Sequence, residues 1–158
     1  MTNQRAVHSS LATPARRIAA AGDVYAVLVS GDETGGKYAV IHATVPSGGG
    51  PPPHVHSREE EGFYILKGEV TVTANGKTVK AGPGAFVNLP VGSVHSFKNE
   101  TAQPAEMLIT VAPSGFEKFL EEVGTILTDP NSGAIPMSHA DMERLLAIAP
   151  KYGMEIKV

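Results

Sequence analysis

Short apolar runs rich in β-branched and aromatic residues follow one another from residue 23 to residue 111, each stopped by glycine, proline or a polar turn pair. Residues 23–30 (DVYAVLVS) and 37–45 (KYAVIHATV) are predicted strands, and the turn cluster GDETGG between them predicts a hairpin. Further strands are predicted at 62–66, 69–74, 77–80, 85–89, 94–99 and 105–111. Asn75-Gly76, flanked by Thr71-Val72-Thr73 and Thr78-Val79, is the strongest hairpin signal in the chain. Many short strands spaced by about ten residues and broken by Gly and Pro predict an all-β antiparallel sandwich or barrel. The pattern changes after Pro113. Apolar residues at 116, 119, 120 and 123 have helical spacing, and Ser138-His-Ala-Asp141 has the form of a capping box with Asp in place of Glu, ahead of a helix at 142–149. Residues 1–22 read as an extended arm or a short helical turn, 125–137 as a loop, and 152–158 as a short tail. Three segments result: an arm at 1–22, a β-barrel domain at 23–112 and a helical extension at 113–158.

The totals narrow the function classes. A chain of 158 residues is long enough for one well-cored domain. A net charge of −3 supplies no basic field, so nucleic acid is not an expected partner. There is no cysteine, which excludes disulfides, a thiol nucleophile and sulfur ligands. No segment reaches the roughly 18 apolar residues of a membrane span, and the N-terminus lacks the apolar stretch of a signal peptide. The expectation is a cytoplasmic protein.

The chemistry concentrates in residues 48–68, GGGPPPHVHSREEEGFYILKG. Side chains two apart on a strand point to the same face, so His54 and His56 address one point in space. Three glycines and four prolines at 46–53 permit no ladder, and this stiff loop delivers the chain to His54 at a set angle. A carboxylate from Glu59, Glu60 or Glu61 adds an oxygen ligand, with Glu59 and Glu61 sharing one strand parity and Glu60 the other. His95, next to the turn PVGSV, is the candidate fourth ligand if its strand lies beside the hairpin expected at 54–61. Three nitrogens and one oxygen suit Fe, Mn, Co, Ni, Cu or Zn and leave coordination positions open.

These residues carry a resemblance to the cupin superfamily. Gly48, His54, His56, Glu61 and Gly68 match its first motif, and Gly84, Pro90, Gly92, His95 and Asn99 match its second, with fifteen residues between Gly68 and Gly84. The resemblance implies a cupin jelly-roll β-barrel and a metal held by His54, His56, Glu61 and His95. It selects Glu61, which has six residues between it and Gly68; Glu60 is the substitute if the ladder slips. Gly68, Gly84, Gly92 and Asn99 then serve turns and strand ends, and Glu59 belongs to a solvated edge.

The run PPPHVHSREEEGFYILKGEVTV and the helical C-terminal segment resemble single-domain cupins of the quercetin 2,3-dioxygenase type. That resemblance implies a dioxygenase acting on a flavonol-like or other chelating small molecule, with Glu61 accepting the substrate proton. The alternatives are another metal-dependent small-molecule enzyme, such as an isomerase or decarboxylase, and a non-catalytic ligand-binding cupin. A homodimer is expected, with the N-terminal arm and the apolar helix faces as candidate contacts. His8 and His139 are expected at the surface, and His42 has a possible place facing the pocket. Phe116, Phe119 and Leu120 are expected to pack rather than to form a substrate box. Tyr64, Phe86, Phe97 and Met107 lie on strands whose cavity faces parity alone does not assign.

Overall fold

In the computed structural model, residues 4–11 and 15–158 are described. Two antiparallel sheets face each other around one core. The larger joins β1 (Arg16–Ala20), β2 (Asp23–Val29), β3 (Ala39–Val45), β5 (Glu60–Lys67), β8 (Phe86–Leu89), β10 (Ala105–Ala112) and β11 (Thr125–Leu127), in the order β11-β1-β2-β3-β10-β5-β8. The smaller joins β4 (His54–His56), β6 (Val70–Ala74), β7 (Lys77–Ala81), β9 (His95–Lys98) and β12 (Met154–Ile156), in the order β12-β4-β9-β6-β7. The two sheets form a jelly roll without a closed ring of backbone hydrogen bonds between them.

Period-two patterning shows in the burial. Ala39, Ile41, Ala43 and Val45 on β3 are buried while the residues between them are half-exposed, and β10 alternates likewise. Ile41, Phe63, Ile65, Met107 and Ile109 from the larger sheet meet Val70, Val72 and Phe97 from the smaller. Each such apolar side chain stabilises the fold by roughly 1.5–3 kcal/mol. The hairpin at Asn75-Gly76 forms as its residue types require, with positive φ at both positions (48° and 79°). The GDETGG cluster is a turn of helix, α1 (Gly31–Thr34), with Ser30 and Glu33 as its capping box.

Three segments depart from the sequence reading. The arm expected at 1–22 contains β1, paired to both β2 and β11; its portions at 1–3 and 12–14 lie outside the described residues. The loop expected at 125–137 begins with β11, and the tail expected at 152–158 contains β12. These strands have three to five residues each, too few for a periodic signal, and exist because a neighbouring strand offers unpaired backbone groups. Helix α2 (Phe116–Val123) stands where its spacing places it, and α3 (His139–Ile148) begins three residues before the expected 142–149, directly after Ser138, which with Asp141 caps it reciprocally. The apolar face of α2 packs on the barrel: Phe116, Phe119 and Leu120 are buried. Buried Glu117 pins that helix by accepting from the Gly31 amide at 2.9 Å and the Gly115 amide at 2.7 Å. No helix among the described residues is long and apolar enough to cross a membrane.

Candidate metal centre

The pleat of β4 turns His54 and His56 inward and Val55 outward. His54 is the direct cross-strand partner of His95 on β9, so three imidazoles gather on the inner face of the smaller sheet. Glu61 does not lie on a strand beside β4. After His56 the chain crosses to the larger sheet, where Glu61 pairs with Leu89 and Val111. The carboxylate therefore reaches the histidines across the gap between sheets. One ligand atom from each of His54, His56, Glu61 and His95 lies within 4.8 Å of all the others, and all four residues are buried.

Each histidine is oriented by a partner on its far nitrogen. His54 Nδ1 is 3.0 Å from the Pro52 carbonyl, His95 Nδ1 is 3.1 Å from the Ser93 carbonyl, and His56 Nδ1 is 3.0 Å from Glu59 Oε1. A carbonyl oxygen only accepts, so His54 and His95 carry their proton on Nδ1. Their Nε2 lone pairs are then free to bind a cation, the arrangement typical of metal-binding histidines. His56 Nε2 is buried with no hydrogen-bond partner, 3.3 Å from Glu61 Oε2, and His95 Nε2 is 2.8 Å from the same oxygen. Nitrogens whose protons sit on Nδ1 cannot also donate to Glu61 unless they become imidazolium. Either extra protons or a cation must fill this space. The donor set and the orphaned His56 nitrogen fit a divalent transition metal.

The electrostatics follow. Burial pushes the His54 imidazole down to about 4. Burial acts the same way on His56, but Glu59 and Glu61 outweigh it and push that imidazole up to about 9. Glu61 is fully buried, which by itself would raise its carboxyl. His56 and His95 hold it well below the usual carboxylate range, so it is ionised.

Glu59 corrects the sequence reading. Expected at a solvated edge, it is 3% exposed and sits under His56. The reason is local: Ser57 and Arg58 form a bend, so the i,i+3 spacing returns Glu59 beneath the ring. Glu60 points outward, as its parity requires, and accepts from Asn88. Asn99 closes its turn as expected; its amide donates to the Val45 and Gln103 carbonyls, and its backbone pairs with Gly48 and Gly49. His42 faces away from the pocket and meets Glu106 at 3.2 Å on the outer face. His8 is half-buried against the Leu28 carbonyl, and His139 is exposed. Tyr64 and Phe86 are on the outer face, whereas Phe97 and Met107 are buried.

In front of the ligands lies a cavity of about 30 Å³. Its wall is almost wholly apolar, and Phe116, Phe119 and Leu120 are part of it beside His54 and Glu61. These three residues thus pack, as expected, and also shape the pocket. The Phe116 ring stands edge-on to His56 at 5.2 Å. The C-terminus completes the enclosure: Met154 and Ile156 on β12 pair with His56 and His54 and also line the cavity. Tyr25 on β2 also lines the cavity; it was not singled out by sequence, because nothing marks a strand residue as cavity-facing before the cavity exists.

Residues 41–111 match the family model described as Cupin domain. The chain is 27% identical to quercetin 2,3-dioxygenase of Bacillus subtilis over 119 residues, covering 75% of this chain and 34% of that protein. It is 26% identical to quercetin 2,3-dioxygenase of Aspergillus japonicus over 122 residues, covering 73% and 35%. The chain spans about a third of the length of these curated relatives. A solved structure of a predicted oxalate decarboxylase from Thermotoga maritima superposes with a TM-score of 0.59 at 28% identity, covering 68% of this chain and 98% of that one. A sugar phosphate isomerase from Silicibacter pomeroyi, at 22% identity and a TM-score of 0.56 over 67% and 75%, shares the fold. The chain carries a cupin domain and resembles the quercetin dioxygenase-type cupins.

Proposed function

We propose that this protein is a metal-dependent enzyme of the dioxygenase kind, acting on a small molecule that chelates the metal through a hydroxyl next to a carbonyl or a second hydroxyl. The observation that carries the reading is the convergence of three imidazoles and Glu61 on one point beside an apolar cavity that His54 and Glu61 line, each imidazole aimed by a partner on Nδ1. A divalent transition metal held by His54, His56, Glu61 and His95 supplies Lewis acidity that favours the deprotonated form of a chelating hydroxyl. Glu61, ionised between His56 and His95 and lining the cavity, is the carboxylate at the site that would accept that proton. The apolar wall of Phe116, Phe119 and Leu120 excludes water, which strengthens every charge interaction at the floor.

The test is direct. The purified protein is assayed for bound metal, and flavonol absorbance is followed under air and under nitrogen. Oxygen-dependent bleaching that His95→Ala abolishes is the expected result. Absence of bleaching with Fe, Mn, Co and Ni each loaded excludes flavonols.

A second reading has its own observation in favour. Pockets for drug-sized ligands run to about 300–1,000 Å³, so a cavity of about 30 Å³ accommodates a flavonol only if the helical cap moves. A much smaller substrate, decarboxylated or isomerised, fits with less movement, in keeping with the description of the Thermotoga maritima relative. Carbon dioxide released from a small dicarboxylate under nitrogen distinguishes this reading from the first.

We further propose a cytoplasmic homodimer. Supporting it, Tyr64, Leu66 and Phe86 lie exposed on neighbouring strands at the outer face of the larger sheet. A light-scattering mass near 16.5 kDa counts against the dimer.

A further inference from the structure

Tyr25, on the otherwise apolar cavity wall, forms a buried polar pair with Asp23. Among the described residues, Tyr25 is the one side chain lining the cavity, besides His54 and Glu61, that bears a hydrogen-bonding group. It is 2% exposed, and its hydroxyl donates to Asp23 Oδ2 at 3.2 Å. Asp23 is fully buried, and its other oxygen, Oδ1, has no hydrogen-bond partner. A carboxyl group placed this way is costly to fold around, which calls for an explanation beyond packing.

The surroundings hold the pair rigidly. Asp23 opens β2 directly after the Ala21-Gly22 turn and packs under the glycine loop that leads to His54. A β-carbon at Gly49 would stand 2.6 Å from Asp23 Oδ1, so the carboxylate occupies the space that this glycine leaves. Burial, followed by the neighbouring Asp23, keeps the Tyr25 phenol well above its ordinary value, so it stays protonated. With its hydrogen committed to Asp23, the phenol oxygen keeps a free lone pair on a side chain that lines the cavity. It is an acceptor awaiting a donor.

We propose that Tyr25, held by Asp23, is a substrate-positioning and specificity-determining residue that accepts a hydrogen bond from a hydroxyl or amino group of the ligand. The inference rests on the reading that the site binds a small chelating molecule. It adds that the molecule carries a donor at a second point, away from the atoms that meet the metal. Ligands lacking that donor leave the Tyr25 oxygen buried and unpaired.

Two small chelators that differ at one group provide the test: acetohydroxamate, ending in a methyl, and glycolohydroxamate, ending in a hydroxymethyl. Dissociation constants are measured by calorimetry on the metal-loaded protein and on its Tyr25→Phe and Asp23→Asn variants, with metal content and thermal unfolding recorded for each. The expected result is a preference for glycolohydroxamate of about fivefold to tenfold in the unaltered protein, lost in Tyr25→Phe at unchanged metal content. Asp23→Asn, whose amide oxygen holds the phenol hydrogen less firmly at the same volume, reduces the preference in part. If both chelators bind and Tyr25→Phe leaves their ratio unchanged, the positioning role is overturned and the metal-site reading stands. If the metal-loaded protein binds neither chelator, the small-molecule reading fails and takes the inference with it.

Discussion

The two walls of the cavity are built on opposite terms. The wall behind the candidate metal point consists of charged and polar groups held from behind, His56 by Glu59 and His54 and His95 by backbone carbonyls, with His56 Nε2 unpartnered 3.3 Å from Glu61 Oε2. The wall in front is aromatic and aliphatic, drawn from α2, α3 and β12, and touches the ligands through rings such as Phe116. The back wall gains from exact pairing in a dry setting, where an unpaired group is expensive. The front wall gains from area, which tolerates movement. The candidate ligands therefore sit on the two sheets, and much of the apolar wall over them comes from α2, α3 and β12.

The largest effect is expected from breaking the back wall. His56→Ala removes a ligand and should lower metal affinity by more than about 100-fold, read as metal content falling from near one per chain to background at preserved strand signal by circular dichroism. Full occupancy in that variant would falsify the ligand set.

The polar pair at Asp23 is next. Burial raises this carboxyl from 3.8 to about 7, outweighing the pull of the Tyr25 hydroxyl. The unfolded chain gives up the proton near 3.8 while the folded chain keeps it until about 7, so the stability Asp23 contributes is complete below pH 4 and is lost as pH rises through 7. Asp23→Asn removes that dependence. Denaturant unfolding should show it more stable than the parent at pH 8, by at most about 4 kcal/mol, with the gap closing near pH 4. Equal gaps at both pH values would refute the buried, raised carboxyl.

Phe116→Ala tests the front wall. It should cost about 3 kcal/mol of stability yet leave metal content unchanged, since the ring touches His56 without orienting its Nδ1. A large loss of metal would show that the two walls are not separable. The smallest effect is expected from Glu59→Gln. The amide oxygen still accepts from His56 Nδ1, so the ring keeps its orientation and only the charge is removed. Metal affinity should fall about tenfold in a competition with a chromogenic chelator; no change would make Glu59 a packing residue.

Much of this was legible in residue types. Glycine and proline punctuation marks strand ends because those residues break ladders anywhere. Asn75-Gly76 makes its turn because few other pairs adopt positive φ at two successive positions. His54 and His56 share a face because the pleat has a period of two, and the Ser138–Asp141 cap requires only three residues of local chain. What local rules cannot reach is which surfaces meet. Glu61 comes from the opposite sheet, Glu59 folds back beneath His56, and β1, β11 and β12 are strands only because a partner strand lies alongside. Tyr25 faces the cavity because α2 and β12 close over it. These outcomes depend on contacts between residues far apart in the chain, and such contacts exist only once the sheets have packed.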